Sequence, residues 1–233
     1  MFFDPLYLLL MLPAMLLAGW AQLKVKSAYH EASQMPASSG ATGAEAAAVI
    51  IKQTGMQGVE IEQAEGFLSD HYDPRAKVLR LSPDVYNGHS LAALGIAAHE
   101  AGHALQDASG YSLLKMRNAI VPLASFGGNM TWILIMIGMF MQSFNLILAG
   151  IIAFSMTVVF QLINLPVEFD ASRRAKALLG DLGLVRQDEA PEVRKVLSAA
   201  AMTYVAATLA AMLNLLYFLL RFGLIGGRRD EDA

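Results

Sequence analysis

The chain of 233 residues is 55% hydrophobic and only 16% charged, with a mean hydropathy of +0.45; soluble domains carry about 25% charged residues. That balance reads as a membrane protein with a modest polar part. The net charge of −3 leaves no basic footprint for nucleic acid, and the absence of Cys excludes structural disulfides and Cys-ligated zinc.

In chain order, the first predicted element is an apolar span over residues 5–22, with Leu6 to Leu17 as its core. It lacks the basic stretch that opens a signal peptide, since Asp4 is the only charge before Lys24, so it reads as a retained anchor. A polar domain is expected over residues 34–117. It begins with a small-residue linker, 34–42, and Thr42 with Glu45 fits a capping box opening a helix to about Thr54. Val59–Glu62 and Lys77–Leu81 alternate apolar and polar residues and read as strands, with a turn over Asp70–Arg75 between them. A helix is expected over 90–108. Two further spans, 119–141 and 144–165, are separated only by Gln142-Ser143, which predicts a tight hairpin. A helix opening at Pro166 and a loop are expected over 166–196, followed by a last span over 199–222.

The helix over 90–108 carries His99-Glu100-Ala101-Gly102-His103. With five His and ten Glu in the chain, composition alone would supply about 0.005 such His-Glu-x-x-His motifs. On a helix, residues i and i+4 lie about 40° apart around the axis and roughly 6 Å apart along it. Two imidazoles so placed can reach one Zn²⁺ at about 2.0–2.1 Å. Glu100, beside His99, can face a water instead of the metal and act as general base.

A catalytic zinc usually has three protein ligands. Gln106 and Ser109 stand where a metzincin would need Gly and His, which excludes that class. Asp107 shares the helical face but lies about 12 Å along the axis from His99, too far for the same ion. From Ala108 to Val167 there is no Asp, Glu, His or Cys; Glu168 is the next candidate, then Asp170. Glu168 also fits a plain helix-start carboxylate after Pro166. Upstream, Asp70, His71, Asp73, Asp84 and His89 are the other candidates. Tyr72 and Tyr86 read as aromatic anchors more readily than as oxyanion donors, and Arg173 and Arg174 either pair with Glu168 or Asp170 or, the favoured reading, reach for lipid headgroups.

Topology supports Glu168. Two spans lie between His103 and Glu168, and an even number returns the chain to the same side. Lys24, Lys26, Lys115, Arg117, Arg173, Arg174 and Lys176 gather there, and the positive-inside rule places that side in the cytoplasm. Arg221, Arg228 and Arg229 fall on the opposite side.

Four stretches carry a family likeness: Gly66-Phe67-Leu68-Ser69-Asp70-His71-Tyr72-Asp73-Pro74-Arg75, Leu79-Arg80-Leu81-Ser82-Pro83-Asp84-Val85-Tyr86, Ala97-Ala98-His99-Glu100-Ala101-Gly102-His103-Ala104-Leu105-Gln106, and Pro166-Val167-Glu168-Phe169-Asp170-Ala171-Ser172. With the four spans, they make the chain resemble the YugP-like neutral zinc metallopeptidases of bacterial membranes. A more distant likeness is to gluzincins of the HtpX and CAAX prenyl protease type. Their downstream motif runs Glu-aromatic-x-Ala-Asp, with the Glu as third zinc ligand; here Ser172 replaces that Asp.

The expectation is therefore a mainly α membrane protein of about four transmembrane helices, with a small α+β zincin-like domain carrying the His-Glu-x-x-His helix. His99, His103 and Glu168 are the expected ligands of one Zn²⁺ per chain, and Glu100 the catalytic base. The expected activity is that of a zinc metalloendopeptidase, cutting protein or peptide substrates near the surface of the cell membrane on its cytoplasmic face. The alternative is a non-catalytic membrane adaptor that keeps zinc for structure. The expected partners are substrate and lipid bilayer, with no nucleic acid, and the sequence carries no signal for an oligomeric state.

Overall fold

Long apolar runs without charge can satisfy their backbone in lipid only as helices, and four such helices dominate the computed structural model, which describes residues 4–66 and 69–225. They are α1 (Pro5–Ser33), α5 (Ser112–Phe140), α6 (Phe144–Asp181) and α7 (Ala190–Arg221), each long and apolar enough to cross a membrane. Between α1 and α5 lie α2 (Gly43–Gln53), β1 (Glu60–Gln63), β2 (His71–Asp73), β3 (Val78–Leu81), α3 (Pro83–Tyr86) and α4 (Leu91–Ala108). Phe67 and Leu68 of the family-like stretch, and the basic Arg228 and Arg229, lie outside the described residues.

The chain packs as two units. One comprises residues 1–20, 116–165 and 204–233. Its core includes Ile135, Ile147, Phe154, Tyr217 and Phe218, while Leu9, Leu16, Phe126 and Phe140 are exposed, as on a surface meant for lipid. The α5–α6 hairpin is tight because glycine lines it. A Cβ on Gly127 would lie 2.4 Å from the Ala153 carbonyl oxygen. Gln142 turns the chain at φ 53°, and the Ser143 N–H caps the Gly138 carbonyl at 2.8 Å.

The other unit comprises residues 21–115 and 166–203. Thr42 and Glu45 form the capping box: the Glu45 N–H donates to Thr42 Oγ1 at 3.0 Å and the Thr42 N–H to Glu45 Oε2 at 2.8 Å. Ser90 caps α4, accepting from the Ala93 N–H at 3.2 Å. The sheet order is β1-β3-β2, with β1 parallel and β2 antiparallel to β3. The unit's core gathers Ile50, Leu79, Leu81, Leu94, Ala98 and Leu179.

Three expectations change. The turn over Asp70–Arg75 contains a strand: His71–Asp73 pair with Val78–Arg80, because Tyr72 can bury its ring. Turn residues remain only at its end, where the Arg75 N–H donates to Asp73 Oδ1. The linker over 34–42 is fastened, not free, since the Ala37 N–H donates to the His89 carbonyl and the Leu91 N–H to Met35. Most consequentially, no helix starts at Pro166; the proline sits inside α6. Val167, Ala171, Ala175 and Leu179 are buried at successive four-residue steps beyond it, and only a continuing helix gives them one face. The burial on that stripe outweighs the single hydrogen bond a proline removes. Glu168 is thus an interior helix residue and not a helix-start carboxylate. The loop between α6 and α7 is correspondingly short, and α7 begins at Ala190 instead of near 199.

Candidate metal centre

The motif helix is α4, which is mostly Ala, Gly and Leu up to the first imidazole and buries Ala97, Ala98, Ala101 and Ala104. Small residues on that face let α6 lie close. A Cβ on Gly102 would stand 2.7 Å from the Ala171 carbonyl oxygen and 3.3 Å from its carbonyl carbon. This obstacle is backbone and cannot rotate away. G102A is therefore expected to cost about 1–3 kcal/mol through overpacking, read as a lowered midpoint of thermal unfolding in detergent, and to weaken metal binding by spreading the two helices.

That approach brings His99 and His103 of α4 to Glu168 of α6. Their donor atoms lie within 4.8 Å of one another. His99 Nε2 is 3.3 Å and His103 Nε2 3.6 Å from Glu168 Oε2. The two rings stand nearly perpendicular, 4.8 Å apart. Glu168 is 4% and His103 6% exposed.

The opposite ring nitrogens are also engaged. Ser172 Oγ lies 3.1 Å from His99 Nδ1. Gln106 Oε1 lies 3.0 Å from His103 Nδ1, while its Nε2 donates to the Val167 carbonyl at 2.8 Å and to Asp170 Oδ2 at 3.0 Å. Asp170 also accepts from Arg173, and from Arg174 Nε at 2.6 Å. Arg174 sits over the Tyr111 ring, 5.6 Å from its centre. These arginines were expected to reach for headgroups; instead Asp170, only 6% exposed, draws them, because a buried carboxylate needs a partnered charge.

Glu100 faces the sheet. Its Oε2 accepts from the backbone N–H of Tyr72 at 3.1 Å. Tyr72 belongs to β2, so the amide of an edge strand holds one carboxylate oxygen. The Tyr72 hydroxyl donates to Asp107 Oδ2 at 2.9 Å. Burial, with the Asp107 carboxylate beside it, pushes that hydroxyl well above the usual phenol range, so it remains a donor. Tyr72 therefore ties β2 to α4 at two points, Glu100 and Asp107. One residue before the strand, Asp70 accepts from the Ser82 N–H at 2.8 Å and from its hydroxyl, fixing where β2 begins. Burial pushes the Asp70 carboxyl up, against those hydrogen bonds.

The remaining candidates stand apart from this convergence. His71 Nδ1 meets the Ser69 carbonyl and His89 Nδ1 the Gly40 carbonyl. Asp73 pairs with Arg80 at 2.9 Å. Among the described residues, His99, His103 and Glu168 form the one group of such donors close enough to hold an ion. In the sequence Gln106 served only to exclude a metzincin, and Tyr72 read as an aromatic anchor or an oxyanion donor, not as a tie from β2 to Glu100 and Asp107. The spacing of Gln106 three residues after His103, one turn on, was the available signal.

The chain matches the family described as "Putative neutral zinc metallopeptidase" over residues 7–223. It belongs to that family. It is 48% identical over 227 residues to "Putative membrane protease YugP" of Bacillus subtilis (strain 168), an alignment covering 97% of this chain and 100% of the relative. No solved structure matches it. The family implies zinc, and the donor set fits: two imidazoles and one carboxylate are a common Zn²⁺ set. Both Nδ1 atoms are turned to neutral side chains, which leaves both Nε2 atoms directed toward Glu168.

Proposed function

We propose that this protein is a membrane metalloendopeptidase in which His99, His103 and Glu168 hold one Zn²⁺ per chain in a zincin-like domain. The observation that carries the reading is the convergence of those three side chains, with Glu100 the next residue after His99 on the same helix. Zinc bound there would supply Lewis acidity toward a peptide carbonyl and toward water. Glu100 takes the proton of the attacking water through the oxygen not engaged by Tyr72 and delivers it to the leaving amine. Burial of Glu168 and His103 keeps bulk water away from one side of the centre.

Cleavage takes place close to the membrane surface. Glu168 is three residues beyond the apolar stretch 144–165 on the same helix, about 5 Å along its axis. The Lys and Arg residues flanking the spans on this side favour the cytoplasmic face of the cell membrane.

The test is the purified protein in detergent. One zinc per chain and hydrolysis of casein are expected, with activity lost to a chelator and restored by one equivalent of zinc. Protein that retains casein hydrolysis after complete removal of metal would overturn the reading.

A further inference from the structure

The proposed metal centre needs His103 to present Nε2, and a neutral imidazole carries its proton on either nitrogen. Gln106 settles which. It is fully buried, one turn after His103 on α4, and both ends of its amide are engaged. On the α6 side it meets two acceptors. The Val167 carbonyl at 2.8 Å can only accept, and the Asp170 carboxylate at 3.0 Å is held ionised by Arg173 and Arg174. The NH₂ end must therefore face α6, and the carbonyl end must face His103 Nδ1 at 3.0 Å. Turning the amide over would set an oxygen against a carbonyl and a carboxylate in a fully buried site. A carbonyl oxygen opposite Nδ1 requires the proton there.

We propose that Gln106 is a positioning residue that fixes the tautomer of His103, and that Val167 and Asp170 on α6 fix Gln106. His99 has no such control. Its Nδ1 faces Ser172 Oγ, and a hydroxyl serves as donor or acceptor. Tautomer selection thus acts at one imidazole only, through a neutral side chain that adds no charge to the centre. α6 then contributes twice: it supplies Glu168 directly and presets the second imidazole through Val167, Asp170 and Gln106. The inference rests on the metallopeptidase reading above.

The experiment measures zinc affinity of the full-length protein in detergent, by competition with a fluorescent chelator, with thermal unfolding recorded for each variant. Q106M keeps the volume but removes the acceptor that faces His103 Nδ1, and its zinc affinity is expected to fall about 10–100-fold. Q106E/D170N restores an acceptor at Nδ1 and sets an amide, in place of the Asp170 carboxylate, against the new carboxylate; it is expected to bind zinc about 10-fold more tightly than Q106M. Rescue by a side chain that accepts at Nδ1 separates the orienting role from mere packing. Wild type that binds zinc while Q106M binds within about 3-fold of it overturns the inference alone. So does a folded Q106E/D170N protein no tighter than Q106M. Wild type that binds no zinc overturns the metallopeptidase reading and this inference together.

Discussion

E100Q is expected to bind zinc as tightly as the wild type and to lose kcat by about 10³-fold, within the 10²–10⁴ range that a positioned general base supplies. The structure makes this substitution unusually informative. The Tyr72 N–H donates to Glu100 Oε2 and needs an acceptor in return. The amide in E100Q satisfies it by turning its oxygen to β2, which leaves an NH₂ in place of the second carboxylate oxygen. A donor then stands where the reaction needs a proton acceptor. Strand and helix keep their contact, so KM should change little, and the zinc ligands are untouched. Single-preparation measurements of zinc content, kcat and KM on casein check the result. Equal kcat in E100Q and wild type, in preparations free of other proteases, would remove Glu100 from the mechanism. Silent E100Q with zinc retained would instead favour the adaptor that keeps metal only for structure.

E168Q is expected to have the opposite signature, with both metal and activity lost. Structural zinc sites of four ligands bind with roughly 10–16 kcal/mol, or about 2.5–4 kcal/mol per ligand. Removing one therefore weakens binding by about 10²–10³-fold. The carboxylate is 4% exposed and faces two imidazole nitrogens, so its replacement by an isosteric amide leaves no cavity. The zinc-free melting temperatures of the two proteins should accordingly be close, while added zinc should raise only that of the wild type. At a thousandfold excess over Kd the stabilisation is about 4 kcal/mol. E168Q that is stabilised by zinc as strongly as the wild type would exclude Glu168 as a ligand and return Asp170 or Asp70 to consideration.

Glu168 was legible in the sequence for a reason unrelated to its local surroundings. The stretch before it holds no other candidate ligand, and an even number of candidate spans separates it from His103. The local signal misled: Pro166 reads equally as a first-turn residue or as an interior proline, because proline suits both. Only the buried stripe from Val167 to Leu179 distinguishes them, and that stripe has meaning only against the packed neighbours. For Arg173 and Arg174 the less favoured of two readings holds, for the same reason. A basic residue near the end of a span reaches for lipid unless a buried carboxylate is closer, and Asp170 is one turn away on the same helix.

The sequence by itself determined the features that rest on short spacings. Four apolar runs long enough for a bilayer, the Thr42–Glu45 capping box, and two imidazoles with a carboxylate on one helix all follow from periods of three to four residues or from continuous hydrophobicity. The tertiary structure alone decided how donor groups 28 to 73 positions apart meet: Tyr72 N–H on Glu100, Ser172 on His99, and the Gln106 amide oriented by Val167 and Asp170. Hydrogen-bond direction depends on which neighbour can only accept, and that neighbour is chosen by helix packing at Gly102 and Ala171, not by any pattern along the chain.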